Sequence, residues 1–446
     1  MISFRVRQAH HERNQLPTIR LEPVEGLIKS TVNYFSFPHK TLQFLAVFPI
    51  ILVGLLAING CSSGLNLGIG DQAKAVALYS KSTFGLYDIS TFDVYVDDDL
   101  IHILVGGKVS KEDKLIKLSY TRSEDGGHNW LMPVILDEFP TTIGTRGNDI
   151  QLAAKGNNLL AVWQTKGELP GMGPMVSAYS NDNGLTWTKV TNPAANNAGD
   201  QSHLDLIGDQ QGLFHAVWLE DPEENGYQSL RYARSFDNGG HWNKATTLDD
   251  STCSCCWNTF ALSPKNELNI LYRDMKPRDM SLLQSNDDGK TWQHVSTVGE
   301  FGWQFDGCPH VGGSLTYTKA DNAAQLHSLV WTGVEGKSGL YHLSSPDNGK
   351  SWSTPYKLGN AAIHSDIAMY DGNIVAVWDE MEADGTSIFY AKSEDGGTTW
   401  QAAIRLTTAS NAATHPRLVA TKHGLLVLWT EKPYKQPGQL AWFVIE

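Results

Sequence analysis

Short runs of β-branched, leucine and aromatic residues, each reached through a turn, recur along the chain. They read GNNLLAVWQ from Gly156, GLFHAVWLE from Gly212, NELNILYRD from Asn266, QLHSLVWTG from Gln325, GNIVAVWDE from Gly372 and GLLVLWTE from Gly424, with DLIHILVGG from Asp99 as a seventh member. Such runs predict the strands of hairpins. A second element alternates with them: SEDGGHNW from Ser123, SNDNGLTW from Ser180, SFDNGGHW from Ser235, SNDDGKTW from Ser285, SPDNGKSW from Ser345 and SEDGGTTW from Ser393. All six obey SxDxGxxW and start 48 to 60 residues apart. A fixed period of this length marks a repeat architecture. Each copy predicts a tight turn: the Asp carboxylate accepts backbone N–H groups, the Gly supplies a positive φ, and the Trp closes the turn with a large apolar plate.

These copies resemble the Asp-box, or BNR, repeat of the sialidase superfamily, and the likeness extends over essentially the whole chain after the first sixty residues. The resemblance implies an all-β fold, a β-propeller of four-stranded blades. Seven hairpins against six clasps favour seven blades, the last closed by an N-terminal strand near residues 75–79 pairing beside GQLAWFVIE. Six blades, as in typical sialidases, is the alternative. Either ring leaves no buried sheet edge unpaired. Successive turns of an up-and-down blade alternate between the two faces of the disc. The clasps therefore lie opposite the loops that lead into the innermost strands, and a site is expected at the mouth those loops surround.

Residues 1–60 stand apart from this pattern. Phe44 to Ile58 form an uncharged run, FLAVFPIILVGLLAI, flanked by His39 and Lys40 and ending in INGCSSG. The run is short for a bilayer span and fits the apolar part of an export signal. Its end resembles a bacterial lipobox, which implies lipid attachment at Cys61; a plain secretory signal and an uncleaved anchor are the alternatives. The expected organisation is a leader over 1–60, a linker over 61–73 and one propeller domain over 74–446. The expected location is the cell envelope, anchored by lipid to the outer membrane or secreted to the periplasm or surface.

Composition narrows the partners. With 35 Lys and Arg against 48 Asp and Glu the net charge is -13, which repels phosphate backbones and makes nucleic acid an unsuitable partner. With 41% hydrophobic residues and 14 Trp, the chain can bury a core. A glycan is the expected ligand, contact with the membrane is through the lipid alone, and a monomer is expected.

The approaches to the innermost strands place Asp88, Arg146, His203, Cys256, His310, His364 and His415 one blade period apart, with Asp205, Asp366 and Arg417 two positions beyond three of them. A polar rim also suits a wet channel whose histidines cap strand ends. Cys253, Cys255 and Cys256 in CSCCWN and Cys308 in GCPH are likewise one period apart, so four thiols should meet. In an exported protein two disulfides are the default. The alternative is a metal site of Cys253, Cys255, Cys256, Cys308 and His310, suited to copper as Cu(I) or to zinc.

The loops after the second strands carry Glu220, Asp221, Glu223 and Glu224, then Arg273, Asp274 and Arg278, then Asp379, Glu380 and Glu382, then Glu431 and Tyr434. Paired carboxylates across a cleft are what glycoside hydrolysis requires. The resemblance implies more: sialic-acid-cleaving members hold the sugar carboxylate with three arginines, attack with a tyrosine paired to a glutamate, and use an aspartate as acid and base. Arg146, Arg273, Arg278 and Arg417 offer the arginines, and Tyr434 with Glu431 the pair. The family's early Arg-Ile-Pro motif is absent before the first clasp. The candidate catalytic set is Arg146, His203, Arg273, Asp274, His364, Asp366, His415, Arg417, Glu431 and Tyr434. Three function classes follow: a glycan hydrolase or lyase, a metal-binding lipoprotein, and a non-catalytic glycan- or protein-binding module.

Overall fold

A computed structural model describes residues 79–140, 150–167, 172–194, 201–221, 228–318, 324–408 and 411–445. The chain divides into two units, Met1–Lys74 and Ala75–Glu446, and all described residues belong to the second. The leader, the linker, Cys61 and Arg146 lie outside them, as do Glu223 and Glu224.

The second unit is a seven-bladed β-propeller: seven antiparallel four-stranded sheets, each built from strands consecutive in sequence except the last. The innermost strands are Asp88–Asp97, Ile150–Lys155, Ser202–Gly208, Thr259–Leu262, Ser314–Tyr317, Ala362–Tyr370 and Thr414–Thr421, defining blades 1 to 7 in chain order. Neighbouring blades meet along these strands. In blade 7 the outer strand comes from the N-terminal side: Ser80–Ser82 pairs antiparallel with Gln439–Ile445, Ser80 opposite Trp442 and Ser82 opposite Leu440. The closing strand is thus a few residues later than expected. Tyr79, just before it, serves as a side chain instead, its ring edge-on to Trp429 at 4.9 Å and its hydroxyl donating to Glu431 at 2.7 Å.

The second strands supply the core between blades. Trp163, Trp218, Trp378 and Trp429 occupy corresponding positions in them and are fully buried, and truncating such a side chain to Ala costs about 3–5 kcal/mol. Three of these indoles also donate to a glutamate two residues on: Trp218 to Glu220 at 3.1 Å, Trp378 to Glu380 at 3.0 Å and Trp429 to Glu431 at 3.4 Å. Much of the acidity expected of the outer loops is therefore structural.

Each clasp begins on the last residue of a third strand. In the first, the Ser123 hydroxyl donates to Asp125 Oδ1 at 2.8 Å and accepts the Gly127 N–H at 2.8 Å. Asp125 then accepts the Asn129 N–H at 2.8 Å and the Asn129 side-chain amide at 2.7 Å. The same Ser–Asp–Gly bonds recur from Ser180, Ser235, Ser285, Ser345 and Ser393. The clasp glycine packs on the preceding blade. At Gly289, with φ +73°, an added Cβ would lie 1.7 Å from the Tyr232 hydroxyl of blade 3. Gly156 also has a positive φ, +58°, but faces open space.

The two glycines separate the cost of backbone conformation from the cost of blade contact. Gly156→Ala is expected to cost about 1–2 kcal/mol, the left-handed penalty alone. Gly289→Ala is expected to cost more, because it adds overpacking of about 1–3 kcal/mol against the neighbouring blade. Urea midpoints of the two variants check the order; equal losses would mean that the clasp does not bear on blade packing.

Candidate functional site

Three imidazoles and one indole meet at the mouth of the ring. Trp257 lies in the approach to the innermost strand of blade 4, and its ring sits edge-on to His203, His364 and His415, 5.6 Å from each. His364 and His415 stack on one another with ring centres 3.7 Å apart. His203 and His415 have φ of 51° and 53°, a left-handed conformation uncommon outside glycine, where strand pairing shifts register between Ser202 and Asp205 and between Thr414 and Arg417. Such bulges re-aim a side chain.

Asp379, buried near the end of the second strand of blade 6 (Asn373–Glu382), organises this group. Its Oδ2 accepts His364 Nδ1 at 2.8 Å and the His415 N–H at 2.9 Å, its Oδ1 accepts the His364 N–H at 3.0 Å, and the Thr414 hydroxyl donates to it as well. Burial opposes its charge, but the adjacent His364 and His415 and these hydrogen bonds hold the carboxyl far below the usual carboxylate range. A carboxylate only accepts, so His364 Nδ1 carries the proton and Nε2 is its basic nitrogen. Burial pushes His203 down to about 4, which keeps it neutral near pH 7.

A small recess, partly open to solvent, lies at this mouth. Among the described residues its lining includes Trp257, His364, Ser365, His415, Arg417 and Thr430 and no Asp or Glu. Behind the lining, two carboxylates share one guanidinium and a third, Asp205, lies near them. Arg417 donates Nε to Asp366 at 3.2 Å and Nη1 to Asp93 at 3.1 Å. Each of these acids, with Asp205, also accepts a backbone N–H from the next blade: Asp93 from Leu152 at 2.8 Å, Asp205 from Phe260 at 2.5 Å and Asp366 from Leu418 at 2.9 Å. Burial raises all three carboxyl pKa values, and Asp205, which makes no ion pair with Arg417, rises to about 7.

The four thiols gather in one place: Cys253, Cys255 and Cys256 are buried together and the half-buried Cys308 packs against them. Cys253 Sγ lies 2.8 Å from Cys256 Sγ and 3.7 Å from Cys255 Sγ. Two sets of donor atoms fall within 4.8 Å of one another here, Cys253 with Cys255 and Cys256, and Cys255 with Cys308 and His310. His364, Asp379 and His415 form a third such set.

Other expected site residues are engaged elsewhere. Arg273 is buried and spends its guanidinium on the carbonyls of Val311 at 3.1 Å, Arg278 at 2.6 Å and Trp331 at 3.0 Å. Arg278 turns to the Phe305 carbonyl at 2.5 Å and to Cys253 Sγ at 3.1 Å. Asp274 caps its own loop by accepting the Met275 N–H at 2.6 Å, and burial raises its carboxyl. Asp88 binds Lys432 and the Gly438 N–H. Glu431 and Tyr434 do not form the expected pair: Glu431 is fully buried against Tyr79, Lys81 and Trp429, whereas Tyr434 is 79% exposed beneath Lys435. A three-arginine cluster is not assembled among the described residues. Trp257 was overlooked in sequence because its role depends on the three histidines it separates, and Asp379, named with the acids after the second strands, was left out of the catalytic set because its acidic neighbours differ from it only in burial.

No family model matches the chain, and no curated protein matches it. Solved structures do. An ulvan lyase described as a new family of polysaccharide lyase, bound to -[GlcA(1-4)Rha3S]-, has a TM-score of 0.55 at 12% identity, covering 82% of this chain and 96% of its own. The polysaccharide lyase Uly1 has a TM-score of 0.50 at 10% identity, covering 85% and 94%. A Trypanosoma rangeli sialidase in complex with the inhibitor DANA has a TM-score of 0.45 at 13% identity, covering 70% of this chain and 56% of its own. At these identities the likeness is one of fold: the chain shares the fold of the two polysaccharide lyases.

The carboxylate set predicts a pH signature. Asp205 binds a proton in the folded state that the unfolded chain gives up near pH 4, so its contribution is complete below pH 4 and is lost as pH rises to about 7. Asp205→Asn should flatten the decline in urea midpoint between pH 5 and pH 8 relative to wild type. Parallel profiles for the two proteins would refute the placement of this carboxyl.

Proposed function

We propose that the protein acts on acidic glycans at the channel mouth, with His364 as the general base and Asp379 as the group that orients it. The observation that carries this reading is the His364 Nδ1–Asp379 pair at 2.8 Å beside a recess whose lining, among the described residues, includes an aromatic plate and a guanidinium and no carboxylate. Hydrolysis through paired carboxylates needs two such groups facing the sugar. Proton abstraction beside a uronate carboxylate needs one base and a cation. In the proposed elimination His364 Nε2 takes the proton next to the carboxylate, the carbon–oxygen bond to the leaving sugar breaks, and a carbon–carbon double bond forms. Solvent returns a proton to the departing oxygen. Arg417 is the cation that faces the substrate; its Nε and Nη1 are held by Asp366 and Asp93, and the side chain is 30% exposed. Trp257 offers its ring to the apolar face of a sugar.

The six clasps support placing the protein among Asp-box propellers of the sialidase superfamily, and the polysaccharide lyases that share its fold support elimination over exo-sialidase hydrolysis. The apolar run before Cys61 supports export and lipid anchoring at the cell envelope, with the propeller as a monomer facing its polysaccharide.

The test is turnover of uronate-containing polysaccharides and of sialosides by the full chain. Expected is an unsaturated, ultraviolet-absorbing product from a uronate polymer. His364→Ala should lower kcat/KM by about 10²–10⁴-fold, the usual worth of a general base. Trp257→Ala should chiefly raise KM. New reducing ends without unsaturation, full activity in His364→Ala, or no turnover on any substrate would contradict the proposal.

A further inference from the structure

The thiol cluster takes no part in the chemistry proposed for the mouth, and it is not ordinary core. Cys253, Cys255 and Cys256 are 1%, 4% and 1% exposed and form a buried cluster of their own, joined only by Cys308, apart from the apolar cores of the blades. Buried cysteines kept for packing would merge with the leucines and valines around them. Their segment links the last strand of blade 3 (Thr246–Thr252) to the innermost strand of blade 4, whereas Cys308 and His310 precede the innermost strand of blade 5. Two approaches, one blade apart, thus deliver four sulfurs and one imidazole to a single place.

The donors overlap in a particular way. Cys255 belongs to both sets, one with Cys253 and Cys256, the other with Cys308 and His310, and within each set the donor atoms lie within 4.8 Å of one another. Ligands around a single ion stand at about this separation, since metal–sulfur bonds of about 2.3 Å place two ligands up to twice that apart. Two contacts fix Cys253: Arg278 Nη1 donates to its Sγ at 3.1 Å, and its N–H is held by the Arg273 carbonyl at 3.0 Å. One side is open, because Cys308 is half-buried and His310 is exposed.

We propose that Cys253, Cys255, Cys256, Cys308 and His310 form a binding site for a soft d¹⁰ metal ion, Cu(I) or Zn(II), with Cys255 shared between the two halves. Thiolate with one imidazole selects such ions over hard, oxygen-preferring cations. Binding releases the thiol protons to solvent as metal–sulfur bonds form. The site lies next to the mouth, since Trp257 follows Cys256 directly. A bound ion ties the segment that carries Trp257 to the approach of blade 5, so its role is to hold the indole in place, independently of which sugar the mouth receives.

The experiment uses the full chain, purified anaerobically with reductant and then freed of it. Separate samples receive Zn(II) or Cu(I), are gel-filtered, and are analysed for bound metal and for reactive thiols. At least one ion per chain retained in one arm, with thiol reactivity suppressed, is expected; the arm that retains it identifies the ion, and retention in both is resolved by competition between them. His310→Ala, at an exposed position that leaves the fold intact, should weaken retention about 10–100-fold, and Cys255→Ser should abolish it. Loss of metal with an unchanged circular dichroism spectrum separates ligation from misfolding. No retention in either arm, retention unaffected by both substitutions, or a mass four protons short in the protein as isolated, which marks two disulfides, would overturn the proposal. None of these outcomes depends on turnover, so the site stands or falls apart from the glycan reading.

Discussion

Closure of the ring by three residues, Ser80–Ser82, on the strand Gln439–Ile445 is the constraint on which the rest depends. A repeat of about fifty residues brings corresponding side chains together only if its modules surround one axis, and an open array would leave blade 7 with a bare edge. Lys81 and Tyr79 fasten the closing strand to Glu431, whose carboxylate is fully buried. Removing one partner of a buried charge is far more costly than the pair is worth, so this contact specifies the ring more than it strengthens it.

The channel repeats the same economy of charge. Asp93, Asp205 and Asp366 each reach across to the backbone of the following blade, and a single guanidinium, Arg417, serves two of them. Three buried acids beside one cation cannot all ionise freely, and burial raises the pKa of each, that of Asp205 to about 7. The mouth above solves a related problem differently. Asp379 is ionised because two imidazoles, one hydroxyl and two backbone N–H groups converge on it, and its orientation of His364 follows from that satisfaction.

Periodicity made the architecture legible: blade number, the alternation of hairpin and clasp, and N-terminal closure all follow from SxDxGxxW and the runs between. One further regularity was present in the same repeats. The residue before each clasp Trp is Asn129, Thr186, His241, Thr291, Ser351 or Thr399, a side-chain donor every time, and all six bond to the clasp Asp through both backbone N–H and side chain. The site was legible only in part. Period placed His364, His415, Arg417 and the cysteines, because the approaches to innermost strands must converge. It did not reveal which acids face the recess, since Glu220, Glu380 and Glu431 turn to their own indoles and Asp379 alone turns to the histidines. Nor did it show that Arg273, in a loop that looks suited to a substrate carboxylate, is consumed by three backbone carbonyls. Those outcomes depend on burial and on partners from distant blades, which no local pattern encodes.

The most direct measurement is a crystal structure of His364→Ala soaked with an acidic oligosaccharide. The account predicts a sugar ring lying on Trp257 in the mouth, with its carboxylate at Arg417 and the carbon beside it facing the space vacated by the imidazole. Sugar bound on the clasp face or at the outer rim, with the mouth holding only solvent, would contradict it.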